Sequence, residues 1–158
     1  MKSNYKAMVL SCIDPRFQSI VYNYLKKKKL NGKYSFFTIA GSAIGVTANK
    51  FKRWHEVFWD NFETSVKLHN VKKLIVINHR DCGAAKIVNG KKEFSEINEI
   101  KVHKTSFQKI KKIFKNKYPK LTIELKIISL NSKVKHLGKY LANIVLNILY
   151  QYSIYIVG

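Results

Sequence analysis

The chain has 158 residues, a formal net charge of +21 at pH 7 and a hydrophobic fraction of 46%. That length and apolar content describe one folded domain over residues 1–158 and exclude a disordered polyelectrolyte. Two cysteines, Cys12 and Cys82, are too few for the disulfide framework of a small secreted protein. The polar residues 1–6 and the short apolar run after them do not form a signal peptide, so we expect a reduced, cytoplasmic protein.

Short apolar runs alternate along the chain with segments of helical spacing. Strands are predicted at residues 7–11, 34–40, 74–78 and 121–130, and helices at 17–28, at 49–69, from near Gly83, and at 93–117. This alternation predicts a three-layer α/β fold, in which helices cover both faces of a central, mainly parallel sheet of four or more strands. The inward faces of the helices at 49–69 and 93–117 are predicted to carry Trp54, Val57, Phe58, Phe62, Ser65 and Val66, and Ile97, Ile100, Phe107, Ile110 and Phe114, respectively.

Residues 137–158 form an apolar C-terminal segment, and the part from 140 to 157 carries no charge. Its length is close to that of a membrane span. However, polar side chains recur every four residues and place a stripe on one face of a helix: Lys139, Asn143, Asn147 and Gln151. We therefore expect a helix packed against the domain or a partner subunit. A membrane anchor and a short strand at 152–157 are the alternatives.

The positive charge comes mainly from lysines that are spread along the chain. Such a charge is compatible with nucleic-acid binding, but a genome whose codons favour lysine, asparagine and isoleucine is the favoured explanation. The sequence contains no known nucleic-acid-binding motif, so we expect no specific nucleic-acid partner.

Both cysteines lie in segments that directly follow predicted strands. Residues 11–16 read Ser-Cys-Ile-Asp-Pro-Arg after the first strand, and residues 78–83 read Asn-His-Arg-Asp-Cys-Gly after the third. Ligands of parallel sheets bind outside the carboxyl ends of the strands, near the switch in strand order. Neighbouring strand ends would bring Cys12, His79 and Cys82 together, and two thiolates with one imidazole are a known zinc ligand set. For each cysteine alone, the alternative is a small buried hydrophobic side chain.

These two segments resemble the paired motifs of the β-class carbonic anhydrases. Residues 12–16, Cys-Ile-Asp-Pro-Arg, are similar to the family's Cys-x-Asp-x-Arg motif, and residues 79–83, His-Arg-Asp-Cys-Gly, to its His-x-x-Cys-Gly motif. The similarity covers residues 7–130. The resemblance implies a β-carbonic-anhydrase-like fold, an assembly of two or more copies, and the interconversion of CO2 and bicarbonate.

The resemblance also implies roles for individual residues. It implies one Zn²⁺ ion held by Cys12, His79 and Cys82, with a zinc-bound hydroxide that attacks CO2. It implies a catalytic pair beside the metal, in which Asp14 accepts a hydrogen bond from that hydroxide and Arg16 holds the Asp14 carboxylate. In the closed form known in the family, Asp14 becomes the fourth zinc ligand, so we expect a pH-dependent switch.

Backbone groups of Gly41, Ser42 and Gly83 are the candidates for substrate binding. Gly83 opens a predicted helix beside the metal ligands, and Gly41 and Ser42 follow the second strand. Many family members carry Arg-Asn-Ala-Gly after that strand, whereas this chain keeps only the Ala-Gly of residues 40–41. Three alternative functions stay open: hydrolysis of another small heterocumulene such as carbon disulfide, an inactive zinc-binding homologue, and a basic nucleic-acid-binding protein with a structural zinc ion.

The other polar residues of the chain receive structural assignments. Arg80 is predicted to serve structure or an interface, and Asp81 is predicted to lie at a helix N-terminus. The remaining histidines lie in no recognised motif and are predicted to be surface or packing residues: His55, His69, His103 and His136.

Overall fold

The structure, a computed structural model, describes residues 5–90 and 94–131 and the backbone of a short strand at 134–135. In chain order the elements are β1 (Ala7–Ser11), α1 (Pro15–Lys27), β2 (Tyr34–Thr38), a 3₁₀ helix (Asn49–Trp54), α2 (His55–His69), β3 (Lys73–His79), α3 (Gly83–Asn89), α4 (Glu96–Lys117), β4 (Thr122–Ile128) and β5 (Val134–Lys135). The expectations for residues 137–158 and for His136 lie outside the described residues. Within the described part of the chain, no helix has both the length and the apolar character needed to cross a membrane.

The five described strands form one sheet in the order β2-β1-β3-β4-β5, and the four longer ones are parallel. β5 pairs with β4 in the antiparallel direction, so the predicted mainly parallel sheet is confirmed. β1 and β3 are buried along almost their whole length, as expected for apolar strands that are covered on both faces. The chain passes from β1 to β2 on one side and continues with β3 on the other. The strand order therefore reverses between β1 and β3, where ligand crevices form in such sheets.

Helices cover both faces of the sheet, which confirms the predicted three layers. One face packs against α2 and α4 through an apolar cluster that includes Phe58, Phe62 and Phe114. The other face packs against α1 and α3 through a second cluster that includes Phe17 and Val21. Because burial of one large apolar side chain contributes about 1.5–3 kcal/mol, the two clusters hold the helices, and hence the loops that follow the strands, in fixed places.

The predicted helix over residues 49–69 is divided in the structure. A 3₁₀ helix covers Asn49–Trp54, and α2 begins at His55. Phe51 has φ −114° and ψ 23°, outside α-helical values, and its ring stacks on that of Trp54 with centroids 4.5 Å apart. Side chains three residues apart eclipse each other in a 3₁₀ helix, which accounts for this stacking.

Two side chains that were predicted to face the core are exposed instead, Val57 at 53% and Ile97 at 46%. Val57 lies about 100° around α2 from the buried Phe58, so the two residues face in different directions. Ile97 lies in the first turn of α4, which begins at Glu96 after its Ser95 cap. The other predicted strands and helices correspond to observed ones, with small shifts at their ends.

Candidate metal centre

Cys12, His79 and Cys82 converge at the carboxyl edge of the sheet, where the strand order reverses. Cys12 directly follows β1, His79 is the last residue of β3, and Cys82 is the N-cap residue of α3. One ligand atom of each side chain lies within 4.8 Å of the other two. All three side chains are buried, and both cysteines are free thiols. The structure thus brings the three predicted ligands together in one buried cluster that could hold a metal ion.

The surroundings of His79 leave one of its ring nitrogens available to this cluster. Nδ1 donates a hydrogen bond to the carbonyl oxygen of Arg80 at 2.7 Å. Because a carbonyl can only accept, the neutral ring keeps its lone pair on Nε2. Nε2 is buried and has no hydrogen-bond partner among the residues that the structure describes. Since buried polar atoms normally have partners, a lone pair beside two thiols fits a metal ligand.

The pKa values of the three side chains show that the cluster stabilises a proton or another positive charge between its donor atoms. The Cys82 thiol lowers the pKa of Cys12 against the opposing effect of burial, while the Cys12 sulfur and burial raise the pKa of Cys82. Burial lowers the pKa of His79, but contacts with the Cys12 sulfur, the Arg80 carbonyl oxygen and the Asp14 charge together outweigh burial and raise that pKa. Without a metal, the negative Cys12 sulfur thus favours a proton on Cys82 and on His79 Nε2, the nitrogen whose lone pair is free in the neutral ring, and a divalent cation would replace these protons. The donor set therefore fits Zn²⁺, which prefers thiolate and imidazole ligands.

The loop after β2 supports Cys12. The backbone N–H of Gly41 donates a hydrogen bond to the Cys12 sulfur at 3.2 Å. Gly41 has φ +77°, and a Cβ at this position would lie 2.6 Å from the Ala84 Cβ. Both the left-handed backbone and the close packing therefore require glycine here. The next residue, Ser42, also has positive φ and donates from Oγ to the Leu10 carbonyl oxygen at 3.2 Å.

The three substrate-binding candidates have different surroundings. Polar groups of Gly41 and Ser42 bond to the protein itself. Gly83 is the first residue of α3, and a Cβ there would meet nothing within 4 Å among the described residues outside its chain neighbours and its own helix backbone. The left-handed residue between His79 and Cys82 is Asp81, with φ 57°. Contacts of these three residues with a substrate stay a prediction.

On the solvent-facing side of the cluster, Asp14 and Arg16 form the predicted pair. Asp14 caps α1, and its carboxylate accepts hydrogen bonds from the Arg16 backbone N–H at 3.0 Å and from the guanidinium at 2.7 and 3.1 Å. The guanidinium holds the pKa of Asp14 below its usual range, so the carboxylate is ionised at neutral pH. Asp14 Oδ2 lies 3.8 Å from His79 Nε2 and therefore borders the cluster. Arg16 forms a second ion pair with Asp81 at 2.9 Å.

On the buried side of the cluster, Glu99 of α4 contacts the loop that joins His79 to Cys82. Its Oε1 accepts a hydrogen bond from the Cys82 backbone N–H at 3.1 Å, and its Oε2 accepts one from Arg80 Nε at 2.5 Å. Burial alone would raise the pKa of Glu99, but hydrogen bonds from its neighbours outweigh burial and lower the pKa to about 2. Arg80 also pairs with Glu96 at 2.9 Å, which agrees with a structural role for this arginine.

Behind Glu99, the buried residues His103 and Asn78 connect α4 to β3 and to the loop after β2. Asn78 Oδ1 accepts a hydrogen bond from the Ala43 backbone N–H at 3.2 Å, so its amide nitrogen donates to His103 Nδ1 at 2.9 Å. Burial lowers the pKa of His103, and the neutral ring then carries its proton on Nε2, 3.7 Å from Glu99 Oε1. His103 is thus a packing residue, as predicted, but it packs directly behind the cluster.

The sequence contains an indication that Glu99 is buried, and this indication lies outside the two motifs that carry the cysteines. Glu99 and His103 lie four residues apart and extend, toward the N-terminus, the buried stripe of α4 that includes Phe107, Ile110 and Phe114. A carboxylate is rarely buried unless it is paired. A glutamate in line with an apolar stripe, four residues before a histidine, therefore indicates a buried ionic group with a partner elsewhere in the fold.

Solved structures with a similar fold include β-carbonic anhydrases. The carbonic anhydrase from Glaciozyma antarctica has a TM-score of 0.56 and 17% identity, over 87% of this chain and 84% of that chain. The β-carbonic anhydrase CcaA has a TM-score of 0.56 and 13% identity, over 84% of this chain and 79% of that one. A tetrameric β-carbonic anhydrase from Sordaria macrospora has a TM-score of 0.53 and 13% identity, over 86% and 82%. The protein therefore has the β-carbonic anhydrase fold.

The amino-acid sequence assigns the chain to a family within this class. Residues 1–137 match the family model described as "Putative carbonic anhydrase", and the chain belongs to that family. Two similar curated proteins are an uncharacterized protein, RC0076, of Rickettsia conorii and an uncharacterized protein of Rickettsia bellii. Each is 25% identical over 131 residues, which cover 82% of this chain and 70% and 80% of the two relatives.

Proposed function

We propose that this protein binds one Zn²⁺ ion through Cys12, His79 and Cys82 and catalyses the reversible hydration of CO2 to bicarbonate. The observation that carries the proposal is the buried convergence of two thiols with a histidine nitrogen that lacks another partner among the described residues. Two cysteines and one histidine are a known ligand set for catalytic zinc, which leaves a fourth position open. The fold and the family support CO2 as the substrate.

Asp14 is the residue that orients the reacting water. When bound, zinc supplies a Lewis acid that lowers the pKa of a water molecule from about 15.7 to about 7. Asp14 Oδ2 borders the cluster, 3.8 Å from His79 Nε2, so the ionised carboxylate could accept a hydrogen bond from a water or hydroxide held there and orient its lone pair toward the carbon of CO2. Oδ2 can accept this bond while it stays bonded to Arg16, because a carboxylate oxygen has two lone pairs.

Arg16 supports this role in two ways. Its guanidinium lowers the pKa of Asp14 and so keeps the carboxylate ionised, which is required because a protonated carboxyl oxygen would donate rather than accept. Its two contacts with the carboxylate, at 2.7 and 3.1 Å, also fix the plane of that group. Asp14 therefore presents an acceptor in a constant orientation.

Stopped-flow measurement of CO2 hydration tests the proposal, with the zinc content determined on the same protein sample. At mildly alkaline pH we expect one zinc ion per chain and catalysis, and we expect Cys82→Ala to lose both. His69→Ala, which changes a histidine outside the cluster, is the control. Zinc-loaded protein without hydration activity would contradict the CO2 assignment, and protein that binds no zinc would contradict the metal site as well.

We also propose that the protein works as a dimer or larger assembly in the cytoplasm. One similar solved structure is described as tetrameric, and thiols that bind a metal must stay reduced, which suits the cytoplasm. Light scattering would contradict the first part if it gave the mass of a single chain. Cell fractionation would contradict the second part if the protein were recovered outside the cytoplasmic fraction.

A further inference from the structure

One buried ion pair supports two of the three residues of the cluster. Arg80 bonds through its carbonyl oxygen to His79 Nδ1 and through its side chain to Glu99. Glu99 accepts the backbone N–H of Cys82 with its other carboxylate oxygen. The same Arg80–Glu99 pair therefore connects α4 to the backbone on both sides of the loop that carries the two ligands.

We infer that Glu99 is a positioning residue of the metal centre, which fixes Cys82 directly and His79 through Arg80 and thereby sets the affinity for the metal. This inference rests on the proposed zinc site. It adds to that site a residue from α4, a helix that contributes no ligand to the cluster.

The backbone of this loop needs such support. Asp81, between the two ligands, has φ 57°, a left-handed conformation that is uncommon outside glycine. Residues in such conformations persist where the surrounding structure holds them. The ion pairs of Asp81 with Arg16 and Lys86 are about half exposed to solvent, so each contributes little. The buried bond from Cys82 to Glu99 is therefore the stronger constraint on the loop.

The charge of Glu99 is also suited to a site that binds a cation. A buried carboxylate carries a large desolvation cost, which an apolar side chain of similar size would avoid. In return, it places a negative charge against the backbone N–H of Cys82, the residue whose sulfur is a proposed ligand. A negative charge at this place interacts favourably with a divalent cation. Arg80 pairs with this carboxylate, so the carboxylate stays ionised and acts as an acceptor.

Zinc affinity and ligand geometry test this inference separately from activity. Competition with a chromophoric chelator measures the dissociation constant for zinc, and the visible spectrum of cobalt-substituted protein reports the arrangement of the ligands. Glu99→Gln keeps the shape of the side chain and an oxygen for the Cys82 N–H but removes the charge. We expect about 10- to 100-fold weaker zinc binding and shifted cobalt absorption bands. Glu96→Gln is the matched control, because Glu96 also pairs with Arg80 but has an exposed side chain.

Wild-type zinc affinity and wild-type cobalt bands in Glu99→Gln would overturn the inference, even if the variant melts at a lower temperature, because a purely structural role changes stability alone. Glu99→Asp is the second variant and covers the case in which Glu99→Gln does not fold. Its charge remains, but its shorter side chain cannot hold both Cys82 and Arg80, so we again expect weaker zinc binding, and unchanged binding would overturn the inference. A wild-type protein that binds no zinc would instead overturn the proposed function.

Discussion

Two arginine–carboxylate pairs flank the Cys12–His79–Cys82 cluster, and they differ in burial. The Arg16 side chain is 53% exposed and that of its partner Asp14 15%, whereas the Arg80 and Glu99 side chains are 19% and 5% exposed. The partners also differ in their separation along the chain. Asp14 and Arg16 are two residues apart, while Arg80 and Glu99 are 19 residues apart and belong to different elements.

The difference in burial indicates a difference in role. Water screens a pair whose guanidinium is exposed, so such a pair contributes little to stability. The Asp14 carboxylate is itself largely covered, but it borders the cluster, where it can take part in chemistry. A buried pair has no water to replace a lost partner, so removal of one partner leaves an uncompensated charge. The solvent-facing pair is thus suited to catalysis, and the buried pair is suited to positioning the metal ligands.

The largest effect should come from breaking the buried pair. Arg80→Met leaves the Glu99 carboxylate without its guanidinium, and we expect the free energy of unfolding to fall by about 3–5 kcal/mol. Arg16→Met is the matched control on the exposed side, where water screens the guanidinium and we expect a much smaller loss. Urea unfolding of the metal-free protein in reducing buffer measures both values. Equal losses in the two variants would remove the distinction between the pairs.

Catalytic activity should show the opposite order. Asp14→Asn keeps the shape of the side chain but loses the charged acceptor, and we expect kcat/KM for CO2 hydration to fall about 100-fold while stability changes little. Asp81→Asn is the control, since Asp81 also pairs with Arg16 through an exposed side chain. If both variants lost the same activity, the charge balance around Arg16 would matter and the place of Asp14 beside the cluster would not.

The exposed pair is predicted by the resemblance of residues 12–16 to the motif of the β-class carbonic anhydrases, and the structure shows that its geometry is local. Asp14 caps α1 and Pro15 begins that helix, so the backbone itself brings Asp14 and Arg16 together. The parallel strands follow from apolar runs, and the convergence of the cysteines with His79 follows from the reversal of strand order. The predictions of the strands and of the cluster use short-range pattern together with one general rule of sheet topology.

The buried pair cannot be predicted in the same way, because it depends on how α4 lies across the sheet. No local pattern connects Arg80 to Glu99, and only the packing of the apolar stripe of α4 decides which of its polar residues reaches the loop. The division of the predicted 49–69 helix has a similar cause. Over six residues, periods of 3.0 and 3.6 are hard to distinguish, so the 3₁₀ helix at Asn49–Trp54 is visible only in the structure.

Cys12 is supported differently from the other two proposed ligands, because a glycine N–H and not an ion pair contacts its sulfur. Gly41 and Gly32 have φ +77° and +69°, so alanine at either position adds about 1–2 kcal/mol of strain. At Gly41 the new Cβ would also lie 2.6 Å from the Ala84 Cβ, whereas at Gly32 it would meet no described residue within 4 Å beyond its chain neighbours. We expect Gly41→Ala to lower the free energy of unfolding by about 1–3 kcal/mol more than Gly32→Ala. Urea unfolding of both variants checks this, and equal losses would mean that the loop moves away from α3 at little cost.

The smallest effect is expected away from the cluster, toward the amino-terminal ends of the strands, where Tyr24 and Glu124 form a pair of intermediate burial. The Tyr24 hydroxyl donates to a Glu124 carboxylate oxygen at 3.3 Å. Burial, and then the charge of Glu124, raise the pKa of Tyr24 to about 12. An unfolded tyrosine loses its proton near pH 10, so above about pH 10 the unfolded state releases a proton that the folded state keeps.

Tyr24 therefore contributes stability that is fully present below about pH 10 and is lost as the pH rises toward 12. Phenylalanine has no such proton, so the free energy of unfolding of Tyr24→Phe should fall less steeply than that of the wild type between about pH 9 and 11. Urea unfolding at several pH values measures the two slopes, and ionisation of the many lysines affects both proteins alike. Equal slopes of the free energy of unfolding against pH would mean that water screens Tyr24 as fully as it screens the Arg16 pair. A pair of intermediate burial would then have no larger electrostatic effect than an exposed one.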